Sequence, residues 1–375
     1  MKVKLRDCAQ LIKTRVGMEK ATYNNYVSTN NMLPNRGGIK FEDSNLPKSK
    51  TVNYYQKGDI LISNIRPYFK KIWLADRDGT RSGDVLCFRS DDPKLLGKYL
   101  YCTLQSDHFF NYVVSTSKGT KMPRGDKEAI LDYEFDLPTE KEQYKKYNPI
   151  IRIEEKIELN NQINDNLSKI QLLNLSKLIN NKLYEISKIK DLEITVSDHV
   201  ANGSFKALKD NVTYFDYPNY ALFIRNVDFK NNLSGNKRYI NKESYNYLKK
   251  SHLFGGEVVI SNVADVGSVH RVPFIKKPMV VGNNQIFIKS KYHTMTDYLY
   301  VYFQSFWGQS AISSITSGSA QQKFNKTDFR SLEVPIPTKN WIQSNITPYV
   351  TLQDRIFNEN QSLKRIKVTL LNHYF

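Results

Sequence analysis

The chain has 375 residues, with 55 Lys and Arg against 37 Asp and Glu, for a formal net charge of +18 at pH 7. That length accommodates two domains with separate cores, and 40% hydrophobic residues without a low-complexity tract exclude a disordered or fibrous chain. No apolar run approaches the ~18 residues of a membrane span. The opening residues MKVKLRDCAQLIKTRV lack the apolar core of a signal peptide, so a cytoplasmic protein is expected. Cys8, Cys87 and Cys102 are scattered, which gives neither a disulfide framework nor metal-ligand spacing. The basic excess is +7 over residues 1–139, +3 over 140–190, +5 over 191–337 and +3 over 338–375. A charge spread over two globular parts suggests a polyanion touched at two places.

In chain order, a short amphipathic stretch from Leu5 to Val16 leads into Asn- and Gly-rich loops that include Pro34-Asn35-Arg36-Gly37-Gly38. Strands are expected over Ile60 to Ile65, Lys71 to Ala75 and Val85 to Phe88, where β-branched or apolar runs end in turn residues. Lys98 to Val114 reads as helix. Ser115 to Asp126 is a polar loop, and a short strand leads into Leu137-Pro138. Pro149 then suits the first turn of a long helix running to about Ile186. Ile153, Ile157, Ile163, Leu167, Ile170, Leu173 and Leu178 would share its apolar face, interrupted by Asn160, Asn164 and Asn174. A helix of this length reaches roughly 55 Å, or about 16 base pairs.

Residues 191–375 repeat this order. GDILISNI at 58–65 returns as GEVVISNV at 256–263, and Tyr99-Leu100-Tyr101 with Gln105-Ser106 returns as Tyr298-Leu299-Tyr300 with Gln304-Ser305. Gly119-Thr120 returns as Gly318-Ser319, and Leu137-Pro138-Thr139 as Ile336-Pro337-Thr338. Pro149 returns as Pro348, which starts a second, shorter helix to about His373 with Leu352, Ile356, Leu363, Ile366 and Leu370 on its seam. A period this long is a duplicated domain plus helix, since solenoid repeats are far shorter. The expected fold is α+β: two similar α/β domains at 1–139 and 191–337, with two long antiparallel helices as a coiled-coil spacer at 140–190 and 338–375.

The halves share glycines, aromatics and prolines and differ in their polar loops. A common frame with different loops suggests the same task performed on different targets. Arg forks onto guanine and Gln or Asn onto adenine, while Lys and Ser reach phosphates. The candidates in the first half are Arg66, Tyr68, Lys70, Lys71, Lys121 and Arg124. Those in the second are Asn262, His270, Arg271, Gln321, Gln322 and Lys323.

Motifs for chemistry are missing. The sequence has no GxxxxGK[ST] phosphate loop, no HExxH, no Cys/His zinc cluster, no GxSxG and no methyltransferase or nuclease signature. A non-catalytic recognition protein is the simplest reading. A stand-alone nucleic-acid enzyme would need a carboxylate cluster such as Asp59, Asp84 and Glu134. A protein-interaction scaffold with incidental charge is the other alternative.

The order GDILISNIRP, then S-x-S-x-G-T, then Leu-Pro, then a long helix, all of it twice, resembles the specificity subunit of type I restriction–modification systems. The resemblance implies two target-recognition domains, each reading half of a split site in double-stranded DNA. It implies that the helices space these domains and dock methyltransferase subunits, two of them, with restriction/translocase subunits joining the complex. It further implies no catalysis and no cofactor in this chain, and partners that use S-adenosylmethionine, ATP and Mg²⁺.

Overall fold

The structure, a computed structural model, describes residues 1–41, 45–319 and 321–375. The chain forms two compact units, residues 1–157 with 362–375 and residues 158–361. Both mix helix and sheet on one duplicated plan.

In the first unit an antiparallel sheet has the order Ala9–Leu11, Val85–Ser90, Ile60–Ser63, Ile72–Leu74. In the second the same places are taken by Ile194–Asp198, Gln285–Ser290, Val258–Ser261 and Val269–Arg271. The central strands carry unbroken apolar runs, Ile60–Ile62, Val85–Phe88, Val258–Ile260 and Ile286–Ile288, because both faces are covered, which removes the usual alternation. Ile60, Ile62, Leu86 and Phe88 face a helical core, while Leu61, Val85 and Cys87 face a second core with Trp73. Val258, Ile260, Ile286 and Ile288 repeat the first arrangement, and Val259 with Phe287 repeats the second. All three cysteines are buried free thiols.

The helical face carries Gly97–Gln105 and Asp107–Ser115 in one unit and His293–Gln304 and Phe306–Ser314 in the other. Ser106 and Ser305 cap the second helix of each pair, accepting from Phe109 N at 3.1 Å and Gly308 N at 3.3 Å. The opposite face meets another sheet, and here the units diverge. The first unit has four strands, Arg15–Gly17, Thr51–Tyr55, Gly79–Arg81 and Tyr26–Val27. The second has five, Tyr214–Phe215, Arg238–Ile240, Ala221–Ile224, Met279–Val281 and His252–Leu253.

The central helix is Glu140–Asn180, 41 residues, with Pro149 inside it rather than at its start. Thr139 and Glu142 form a capping box: Glu142 Oε2 accepts from Thr139 N at 3.1 Å, and Thr139 Oγ1 accepts from Glu142 N at 3.4 Å. The helix also ends earlier than its apolar content suggests. Lys182 takes φ 54°, and Leu183 N donates to Leu178 O at 3.1 Å, which closes the helix at Asn180. The spacer expected through 190 therefore gives way to strand Glu185–Lys188, paired with Glu333–Ile336. At the C-terminal end Lys339–Asn345 is a separate helix, and Thr347–Tyr374 follows a break at the fully buried Ile346.

The helix seams are more polar than apolar periodicity predicts. Within the second unit Asn160 Nδ2 donates to Asn360 Oδ1 at 2.8 Å, Gln171 Nε2 to Gln353 Oε1 at 2.9 Å, and Asn174 Nδ2 to Asn345 O at 2.9 Å. Rising numbers on one helix meet falling numbers on the other, so the pair is antiparallel. Ile170, Leu173, Leu352 and Ile366, expected on the seams, are exposed instead. Within the first unit Lys367 Nζ lies 2.5 Å from Glu154 Oε1, and Leu371 is buried in the helical core.

Candidate nucleic-acid interface

Each unit brings two loops together through the same hydrogen bonds. In the first, Asn64 N donates to Asp84 O at 2.8 Å, Arg66 N to Pro123 O at 2.8 Å, and Gly125 N to Asn64 O at 3.1 Å. Lys118 and Arg124 exchange two backbone bonds of 2.9 Å. In the second, Asn262 N donates to Asn284 O at 3.1 Å, Ala264 N to Gln322 O at 3.1 Å, and Phe324 N to Asn262 O at 3.1 Å. Ser317 and Lys323 exchange two bonds of 2.9 Å. Arg66 and Ala264 both take left-handed φ, 49° and 66°. The shared glycines follow from this geometry: Gly119 and Gly318 sit at φ 92° and 103°, and a Cβ on Gly318 would lie 2.4 Å from Gln321 O.

On the first frame Arg66, Tyr68, Lys121 and Arg124 are exposed. Arg124 Nη2 reaches Asp84 Oδ1 at 3.3 Å. Lys70 and Lys71 are used internally. Lys70 Nζ lies 2.6 Å from Asp107 Oδ1, and Arg36 Nη2 lies 2.5 Å from the same oxygen. Burial opposes charge on Asp107, but Lys70 and Arg36 outweigh it and hold the carboxyl below its usual range. Lys71 Nζ donates to Thr29 O at 2.6 Å, and burial lowers its pKa. Arg36 was expected only as part of a loop. Its backbone N donates to Lys70 O at 2.9 Å, and Asn35 N donates to Phe69 O at 2.8 Å, so a third loop supports the pair. The run of turn residues at 34–38 was the only signal for it.

On the second frame Gln321, Gln322 and Lys323 are exposed, and Ala320 between the loop's two arms lies outside the described residues. Asn262 Nδ2 donates to Phe324 O at 3.3 Å. The side-chain oxygens of Asn262 and of Asn64 are both buried without a hydrogen-bond partner. The side chains of His270 and Arg271 are engaged within the unit. His270 Nε2 is 2.9 Å from both Ser268 Oγ and Asn226 Oδ1, and its ring stacks on Phe229. Burial pushes it from the usual 6.5 to about 4, so it is neutral at pH 7. Arg271, whose side chain is 8% exposed, lies 2.9 Å from Asp297 Oδ1 and 3.0 Å from Asp354 Oδ1. Two desolvated carboxylates require that counter-charge, which withdraws the guanidinium from the surface. Asn226 and Lys230, unremarked in the sequence, bond Asp265 at 2.7 and 2.8 Å and brace the loop after Ser261.

The carboxylates an enzyme reading would need are held apart. Asp59 is buried against Arg89 at 2.6 Å, Asp84 faces Arg124, and Glu134 pairs with Lys4 in a separate two-stranded ladder. Among the described residues no helix is long and apolar enough to cross a membrane.

The sequence matches the type I restriction modification DNA specificity domain twice, over residues 1–169 and 181–368. No curated protein sequence matches significantly. The fold is similar to the crystal structure of a type I restriction-modification system S subunit from M. genitalium, at 16% identity and a TM-score of 0.54, covering 100% of this chain and 96% of that one. It also aligns with the HsdS subunit from Thermoanaerobacter tengcongensis, at 16% identity and a TM-score of 0.38, over 100% of this chain and 96% of that one.

Proposed function

The chain belongs to the type I restriction modification DNA specificity domain family, and from that premise we propose that it reads a bipartite, non-palindromic duplex site, one half per unit, without chemistry of its own. The observation that carries this reading is the loop pair. One hydrogen-bonded frame occurs in both units and displays Arg66, Tyr68, Lys121 and Arg124 in the first but Gln321, Gln322 and Lys323 in the second. Different donors and acceptors on one scaffold suit different half-sites.

The chain also docks methyltransferase subunits, two per complex, and restriction/translocase subunits. S-adenosylmethionine, ATP and Mg²⁺ belong to those partners. Leu159, Ile170, Leu172 and Leu173 support a docking role, because the polar seam leaves them exposed on the central helix, Leu173 at 61%. The helix acts as a ruler in this reading. Inserting or deleting one helical turn within 160–180 changes the unread gap and leaves both half-sites unchanged in a methylome of cells carrying the partner subunits. Altered half-sites with a constant gap would sink the proposal.

A further inference from the structure

Away from the loop pair, the second unit contains an open cleft of about 520 Å³ bordered by the end of strand Val269–Arg271 and the starts of helices His293–Gln304 and Thr347–Tyr374. This volume lies in the range of about 300–1,000 Å³ common to small-molecule sites. Its lining is graded. Lys291, Lys339 and Arg355, all exposed, are cations on its border. Lys291 Nζ and Lys339 Nζ lie 5.5 and 5.0 Å from the Tyr292 ring, so two ammonium groups and an aromatic face are already gathered there. Phe274 supplies a second ring, 5.6 Å from that of His293. The helix starting at His293 has no side-chain cap, and its free amides add a partial positive charge to the same border.

The buried part of the lining has the opposite sign. Arg271 stands between Asp297 and Asp354, one cation for two carboxylates. Asp297 is 2% exposed, with Arg271 Nη2 2.9 Å from its Oδ1. That ion pair is sealed from solvent, so what the cleft offers a ligand is its cationic and aromatic border.

We infer that this cleft binds a nucleoside phosphate, with its phosphate on Lys291, Lys339 and Arg355 and its base against Tyr292 and Phe274. An inorganic anion would use only the cations. A purely apolar ligand would leave the cations unused. The inference does not depend on the DNA-reading role, since none of its residues lies in the two reading loops.

Calorimetric titration of the full chain with AMP, ATP, adenosine and inorganic phosphate tests it. One AMP or ATP per chain is expected, with phosphate and adenosine each at least tenfold weaker. The exposed pair Lys291→Ala/Lys339→Ala should weaken AMP binding at least tenfold with an unchanged melting temperature. Tyr292→Ala, at an exposed ring, should weaken AMP and adenosine alike and leave phosphate unaffected. No saturable heat with AMP or ATP, equal binding by the double variant, or phosphate as tight as AMP overturns the proposal. Displacement of bound AMP by duplex DNA also overturns it and makes the cleft part of the DNA surface.

Discussion

The two units use the same backbone bonds to present their loops but anchor the strand behind those loops differently. In the first, the two lysines just before strand Ile72–Leu74, Lys70 and Lys71, are engaged by Asp107 and a backbone carbonyl near the surface. In the second the anchors lie within the matching strand Val269–Arg271: His270 is kept neutral by burial, and Arg271 is locked between two carboxylates. The duplication preserved the geometry of presentation and let the means of support vary. Side chains that face the solvent beyond the frame are then free to differ without disturbing it.

The contrast is sharpest when the anchors are removed. Arg271→Leu leaves Asp297 and Asp354 buried without a counter-charge and should cost about 3–5 kcal/mol in urea unfolding. Lys70→Met, with Arg36 still on Asp107, should cost about 1 kcal/mol or less. Equal losses would mean that the two anchors are equivalent after all. Reading should be separable in the same way. Arg66→Ala or Arg124→Ala should relax one half-site, and Gln321→Ala or Gln322→Ala the other, by about 1–3 kcal/mol for each well-formed base contact. Binding to a panel of half-site variants checks this, and a substitution that relaxed both halves would break the division of labour.

Acid provides a gentler discriminator. The His270 pKa is lowered on folding, from the usual 6.5 to about 4. Its contribution is therefore complete above pH 6.5 and is lost as pH falls toward 4. His270→Gln should flatten the loss of second-unit stability between pH 7 and 5, measured by urea midpoints. Asp107, held low, contributes above the ordinary carboxylate range and loses its contribution only as pH falls below it. First-unit stability should thus hold through the window in which His270 titrates. The smallest effect is expected at Lys121→Ala, which should lower DNA affinity evenly across sequences and reduce the salt slope by about 1.

Much of the fold was legible because the central strands are apolar on both faces and recur in register. The helix limits were less so. Pro149 looks like a start, yet Thr139 and Glu142 supply the cap, and Lys182 closes the helix in a conformation usually left to glycine. The seams were legible in part: Leu167, Leu178 and Ile356 are buried, and Asn160 and Asn174 sit between the helices. Amides such as Gln171 and Gln353, however, fill contacts that Ile170, Leu173 and Leu352 were expected to make. At the site, the polar loops could be found by comparing the halves. Which cations remained at the surface could not, because Asp107, Asp297 and Asp354 are distant in sequence from the residues they engage.

The division of the chain into residues 158–361 and the two flanking segments has a temporal consequence. A protein emerging from the ribosome ordinarily completes its first domain first. Here the second unit is continuous and can close as soon as it is made. The first must wait for residues 362–375, because Leu371 belongs to its core and Phe375 packs 5.2 Å from Tyr99. The amino-terminal unit is therefore the last to be finished, and during synthesis its unfilled core is the part most exposed to misassembly.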